Sequence, residues 1–207
     1  MIAAAKAAYP AWKNTPVRNR ASIMMKLRNL IERDKEELTR MVATENGKCW
    51  SEAAGDVAKA LEMTELACSA PSLLMGESLM DTSHGYDTTL YREPMGVFAG
   101  IAPWNFPAMI PVGWMAPLAI VCGNTFVLKP ASTTPMTCMK FAELYKEAGV
   151  PDGVFNIVPC SRNEAEILLT HPDVRGITFV GSTEVGLHVY STAAAHGKRV
   201  QALCEAK

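Results

Sequence analysis

Apolar residues recur at helical spacing over the first third of the chain. Ile23, Leu27, Leu30 and Ile31 mark one stripe, Leu38, Met41 and Val42 a second, and Val57, Leu61 and Leu66 a third. Intervals of three and four residues put side chains on one helix face, so three helices are expected between residues 17 and 75. Asn46-Gly47 reads as the stop of the second, because glycine takes the left-handed conformation that ends helices. Ser51-Glu52 reads as a hydroxyl-capped start of the third. The opening MIAAAKAAYPAW has the texture of a helix interior, with too little flanking charge for a secretory signal.

From residue 95 the pattern changes. Short β-branched runs occupy residues 96–102, 125–129, 154–158, 176–180 and 199–203, with helical patterns between them. Strands that alternate with helices are the pattern of βαβ crossovers. The expected fold is α/β: a parallel, Rossmann-like sheet with helices on both faces, preceded by an N-terminal helical stretch. The helical part covers about residues 1–80 and the βαβ part about 90–207. Residues 76–90, rich in Ser, Thr, Asp and Gly, read as a connection or an edge hairpin.

Composition narrows the partners more than the fold. The chain has 207 residues, 49% hydrophobic and 20% charged, enough to bury a sizeable core. Net charge is -1, and the Lys and Arg residues are scattered, which argues against nucleic acid or an anionic membrane as partner. The apolar stretch 106–121 is broken by Pro107, Pro111, Gly113 and Pro117 and does not read as a membrane span. The six cysteines lie far apart with no CxxC pair and no histidine at ligand spacing, so neither a metal site nor a disulfide scaffold is expected, and a reducing compartment fits. Cys49, Cys68, Cys122, Cys138 and Cys160 are expected to be small buried residues. His84, His171, His188 and His196 are expected at the surface or at helix ends.

In a parallel α/β sheet, ligands bind at the carboxyl ends of the strands. At the end of the first run comes Ala102-Pro103-Trp104-Asn105, part of GIAPWNFP (100–107), in which Pro103 and Pro107 bracket Asn105. A rigidly held amide suits a developing oxyanion, and a turn-capping asparagine fits the same spacing. After the second run comes Lys129-Pro130-Ala131-Ser132, where Lys129 is either a ligand for ribose hydroxyls or a solvated charge. After the fourth comes GSTEVG (181–186), a strand entering a glycine turn and then a helix. Backbone N–H groups and the Ser182 hydroxyl there suit a pyrophosphate. The GxGxxG fingerprint is absent, so a plain strand-to-helix turn also fits.

Together with ENGK (45–48), GNTFVLKP (123–130) and GVPDGVFNIV (149–158), these segments resemble the aldehyde dehydrogenase superfamily over essentially the whole chain. Within it the chain is most similar to the CoA-acylating methylmalonate-semialdehyde dehydrogenase branch, through ACSAPSLLMGESL (67–79), NFPAMIP (105–111) and GKRVQAL (197–203). The resemblance implies oxidation of malonate or methylmalonate semialdehyde with NAD and CoA to acetyl-CoA or propionyl-CoA with loss of carbon dioxide, as in valine catabolism. It implies a homodimer or homotetramer, in the cytoplasm or the mitochondrial matrix. Residues 1–207 would be the dinucleotide-binding domain. The catalytic domain and its nucleophilic cysteine would lie beyond Lys207, leaving this segment inactive alone.

The same resemblance assigns roles. Asn105 is the oxyanion donor, Ala102 and Trp104 line the nicotinamide half of the cleft, Lys129 bonds the adenosine ribose, Ser182 the pyrophosphate, and Cys204 sits in the cleft. Lys59 stands where the branch binds the substrate carboxylate with an arginine. Ser132, followed by Thr133, replaces a glutamate that commonly holds the ribose hydroxyls, which leaves NADP open beside NAD. Leu203 occupies the general-base position of hydrolytic members, and an alkyl group cannot activate water. That favours a thiol acceptor over the two alternatives, a hydrolytic semialdehyde dehydrogenase and a catalytically silent nucleotide-binding relative. Glu205 stands where relatives carry a small residue, and is expected to crowd the cofactor passage.

Overall fold

The computed structural model describes residues 1–205. The helical third forms α1 (Ile2–Lys13), α2 (Val17–Arg33), α3 (Lys35–Asn46) and α4 (Trp50–Cys68), with a single turn, α5 (Ala70–Leu73), after them. The buried residues Ala21, Met24, Leu27 and Ile31 of α2, and Ala53, Val57, Ala60 and Thr64 of α4, sit at three- and four-residue intervals. Gly47 ends α3 at φ 78°, a backbone angle that side-chain-bearing residues rarely take. The capped start expected at Ser51 is not what forms. Helix α4 begins at Trp50, with Cys49 as its uncapped flanking residue and Ser51 inside the first turn. Lys48 is held 3.2 Å from Asp56 of the same helix, so the chain is drawn into the helix directly after it.

Strands β1 (Ser78–Ser83) and β2 (Tyr86–Thr89) form an antiparallel hairpin, exposed at every residue and separate from the main sheet. The main sheet comprises β3 (Val97–Ile101), β4 (Thr125–Lys129), β5 (Phe155–Ile157), β6 (Val174–Gly181) and β7 (Arg199–Cys204). All its pairings are parallel, in the order β5-β4-β3-β6-β7. Strand β6 starts two residues before the expected run, because Val174 is already buried and only exposed Arg175 interrupts the apolar pattern. The chain builds outward from β3 in one direction and then in the other, so the order reverses between β3 and β6. That switch point opens a crevice at the carboxyl ends of these two strands.

Side chains alternate between two covered faces. Phe98, Phe126 and Leu128 face a core shared with α2, α4, a π-helical segment (Met109–Met115), α6 (Ala116–Val121) and α7 (Pro135–Ala148). Val97, Ala99, Val127 and Ile177 face the other, shared with α1, α8 (Arg162–Thr170) and α9 (Thr183–Ala195). Buried polar groups tie the helices to the sheet. Arg20 of α2 donates through Nε to the Val121 carbonyl at the end of α6 (2.8 Å) and through Nη1 to the carbonyls of Lys13 and Thr15 after α1. Helix α7 has no cap of its own at Thr134; the Glu45 carboxylate of α3 accepts the backbone N–H groups of Met136 and Thr137 and the Thr137 hydroxyl instead. A carboxylate at that end also offsets the helix dipole.

Candidate active site

Strands β3 and β6 pair directly, Ile101 opposite Phe179, so the segments leaving them are neighbours. From β3, Ala102 keeps one further ladder bond, its N–H donating to the Lys129 carbonyl (3.1 Å), and stays buried. The chain then emerges into the crevice, leaving Trp104 62% exposed and Asn105 exposed. The residues around Asn105 are fixed from elsewhere in the fold. Asn46 Nδ2 donates to the Trp104 carbonyl (2.7 Å), Lys48 Nζ lies 3.8 Å from the centre of the Phe106 ring, and Asp56 Oδ1 accepts the Met109 N–H (2.6 Å). Burial pushes the Asp56 carboxyl up from its ordinary value; the Met109 amide and the Lys48 ammonium oppose that by favouring the anion.

From β6, Ser182 is the extended N-cap of α9, and its hydroxyl makes no capping bond. The first-turn N–H groups of this 13-residue helix therefore point toward the crevice at the positive end of its dipole. Gly186 seats the first turn against the sheet: a Cβ there would lie 2.1 Å from Cys204 Sγ and 3.2 Å from the Phe179 ring. Cys204 accordingly underlies α9. Glu205, at φ 37°, brings Oε1 to 3.5 Å from the Thr183 N–H. The residue expected to crowd the passage thus leans on the N-terminal end of α9.

Between α8 and α9 lies a pocket of about 150 Å³, with Ile101, Ala165, Leu169, Val185 and Val189 as its apolar walls and Lys129 at the strand end. Arg162 and a Glu166–His188 hydrogen bond of 2.7 Å complete its rim. The slot opens beside the Lys129 end of β4, against the first two turns of α9. Its apolar walls escaped the sequence reading because Val185, Val189, Ala165 and Leu169 have the spacing of any core stripe. Ser132 and Thr133 occupy the exposed turn after β4. Lys59 is exposed on α4, its ammonium donating to Glu62 (2.6 Å). A larger cavity, about 670 Å³, lies over the opposite face of β6 and β7, with Phe98, Trp114, Val180 and Leu203 among its walls. Met63 of α4 and Leu118 of α6 also line it, so it lies between this sheet face and the helices that flank it.

Four of the six cysteines are poorly suited to act as nucleophiles. Burial pushes the Cys68, Cys122, Cys138 and Cys160 thiols up, away from the reactive thiolate. Only Cys138 of the five expected buried is fully so; Cys49 is exposed at the start of α4. The histidines behave as helix-end and surface groups: His171 and His196 follow the last residues of α8 and α9, and His188 bonds Glu166.

A reversing parallel sheet with an amide on one lip and an open helix end on the other defines a dinucleotide-dependent architecture, and the aldehyde dehydrogenase family model matches residues 1–207. The chain belongs to that family. Malonate-semialdehyde dehydrogenase 2 of Geobacillus kaustophilus (strain HTA426) is 54% identical over 206 residues, covering all of this chain and 42% of that protein. The crystal structure of methylmalonate-semialdehyde dehydrogenase (DddC) from Oceanimonas doudoroffii matches with a TM-score of 0.96 at 45% identity, again over 100% of this chain and 42% of the other. PnpE in complex with nicotinamide adenine dinucleotide matches with a TM-score of 0.94 at 33% identity, over 100% and 42%. The chain spans less than half the length of these relatives.

Proposed function

We propose that this chain is the dinucleotide-binding domain of an NAD-dependent, CoA-acylating malonate- or methylmalonate-semialdehyde dehydrogenase. The observation that carries the reading is the adjacency of the Asn105 loop and the Ser182 turn across the β3–β6 switch point. NAD, when bound, supplies the hydride acceptor. The chain's own residues orient it: the α8–α9 slot receives the adenine, Lys129 bonds the ribose, the Ser182 turn donates to the pyrophosphate, and Trp104 and Ala102 border the nicotinamide. Asn105 donates from its amide to the oxygen of the aldehyde carbon as that oxygen gains charge. Leu203 offers no base to water, which supports transfer of the acyl group to the thiol of CoA. Ser132, being neutral, repels a 2′-phosphate less than a carboxylate would, so NADP belongs to the same reading. Lys59 takes the substrate carboxylate once its pair with Glu62 opens.

Assembly as a dimer or tetramer is part of the proposal. The β1–β2 hairpin, with Leu79, Met80 and Tyr86 exposed, is the surface that supports it. The test has two parts. Calorimetry on residues 1–207 should give saturable NAD binding, and the same protein should not reduce NAD with malonate semialdehyde. In a complete dehydrogenase carrying this chain, product should form only with CoA; formation without it would favour the hydrolytic alternative. Absence of any NAD or NADP binding would overturn the reading.

A further inference from the structure

Polar and cation–ring contacts from one corner of the fold converge on both flanks of Asn105, in a loop whose Phe106 and Met109 also pack against the first core. The corner is the α3–α4 junction. Asn46, half-buried, bonds the carbonyl of the residue just before Asn105 (2.7 Å). Lys48 sits over the ring of the residue just after it, at 3.8 Å, and pairs with Asp56 at 3.2 Å. Asp56 in turn accepts the N–H of Met109 at 2.6 Å, where the π-helical segment begins. The Lys48 side chain is 13% exposed and the Asp56 side chain 0%. We propose that Asn46, Lys48 and Asp56 are positioning residues that hold the loop 104–109 so that the Asn105 amide meets the crevice in one orientation.

A buried ion pair is a poor way to gain stability, because well-packed apolar groups of the same volume commonly do as well or better. What this pair adds is direction. Asp56 uses one oxygen for the ammonium and the other for the Met109 N–H, so shifting either partner shifts the loop. The ammonium over the Phe106 ring adds an attraction that depends on its position above the face. Gly47 bends the chain so that Asn46 and Lys48 reach opposite flanks of the same loop. Glu45, one residue before Asn46, is itself bonded to the start of α7, which braces the corner from behind. An oxyanion donor works only if its amide is already aimed when charge develops, and this clamp settles in advance the entropy of fixing the backbone that carries it.

The proposal rests on Asn105 as the oxyanion donor, and its test is independent of that assignment. The 207-residue chain is labelled with nitrogen-15, and order parameters are measured for Asn105, Ser182 and Lys129. In Asn46→Ala and Lys48→Met, Asn105 should fall from the rigid range, about 0.85, to below about 0.6, with Ser182 and Lys129 unchanged. Lys48→Arg, which keeps the cation, should restore most of the rigidity. Unchanged order at Asn105 in both variants overturns the proposal. Equal loosening at Ser182 overturns it too, since that marks a general structural role. Should Lys48→Met fail to fold, Asn46→Ala, which removes one hydrogen bond, decides. Full turnover by an Asn105→Ala dehydrogenase would instead sink the oxyanion reading and leave the order parameters standing.

Discussion

The two lips of the crevice are built in opposite ways. On the β3 side, the Asn105 loop is tied through a backbone carbonyl, an aromatic ring and a backbone N–H to residues 53–58 positions away in sequence. On the β6 side, the Ser182 hydroxyl makes no capping bond, and among the described residues the distant Glu205 carboxylate approaches the helix end. The difference agrees with the work proposed for each lip. A group that must meet developing charge along one line gains from being held. A group that must grip an incoming anion gains from having donors still free.

The comparison breaks first at Asn105. In a complete dehydrogenase carrying this chain, Asn105→Ala should lower kcat by about 10²–10³, the usual cost of one lost oxyanion donor, with NAD affinity nearly unchanged. A parallel rise in the NAD dissociation constant would mean that the lips are not separate devices. Next is Gly186→Val, whose side chain must enter the space of Cys204 Sγ, 2.1 Å from the ideal Cβ. Overpacking of this kind costs about 1–3 kcal/mol, readable in a thermal melt. Adding Cys204→Ala should recover part of the loss, and no recovery would mean that the strain lies elsewhere.

Lys129→Ala should weaken NAD binding about tenfold, or ~1.4 kcal/mol, in calorimetry on the isolated chain. Adenosine without a ribose contact to this lysine would bind equally to both proteins, so an unchanged affinity removes Lys129 from the site. The smallest effect has the opposite sign. Glu205→Gly removes an anion from the α9 N-terminus and a left-handed backbone from a residue that has a side chain. NAD affinity should rise about two- to fivefold, matching about 0.3–1 kcal/mol for one charge near a helix end. Unchanged or weaker binding would show that the carboxylate does not compete with the phosphates.

Much of the fold was legible because a parallel sheet buries both faces of each strand. The run ending at Lys129 was read to its last residue, and β3 to within one, since Val97 through Ile101 carry no charge to blur the pattern. The start of α4 was misread because local capping chemistry favoured Ser51, while the Lys48–Asp56 pair set the entry of the chain. Asn105, Lys129 and Ser182 were singled out as candidates from strand ends alone, each with a structural alternative beside it. The clamp could not be: Asp56 meets Met109 across 53 residues, and Glu45 meets Thr137 across 92, distances at which spacing carries no signal. The α8–α9 slot was hidden for a different reason, its apolar walls being written in the same residues as a core.

The β1–β2 hairpin contributes a side chain to neither core, and all of its residues face solvent. Two paired strands alone are marginal in water, because their hydrogen bonds barely offset the entropy of ordering them. Its order is therefore contingent rather than intrinsic: Leu79, Met80, Tyr86 and the nearby Tyr91 are exposed apolar side chains whose burial would have to come from contacts outside the two cores. Whatever meets those side chains becomes part of the folding equilibrium of this segment, so that association and local folding there are one event.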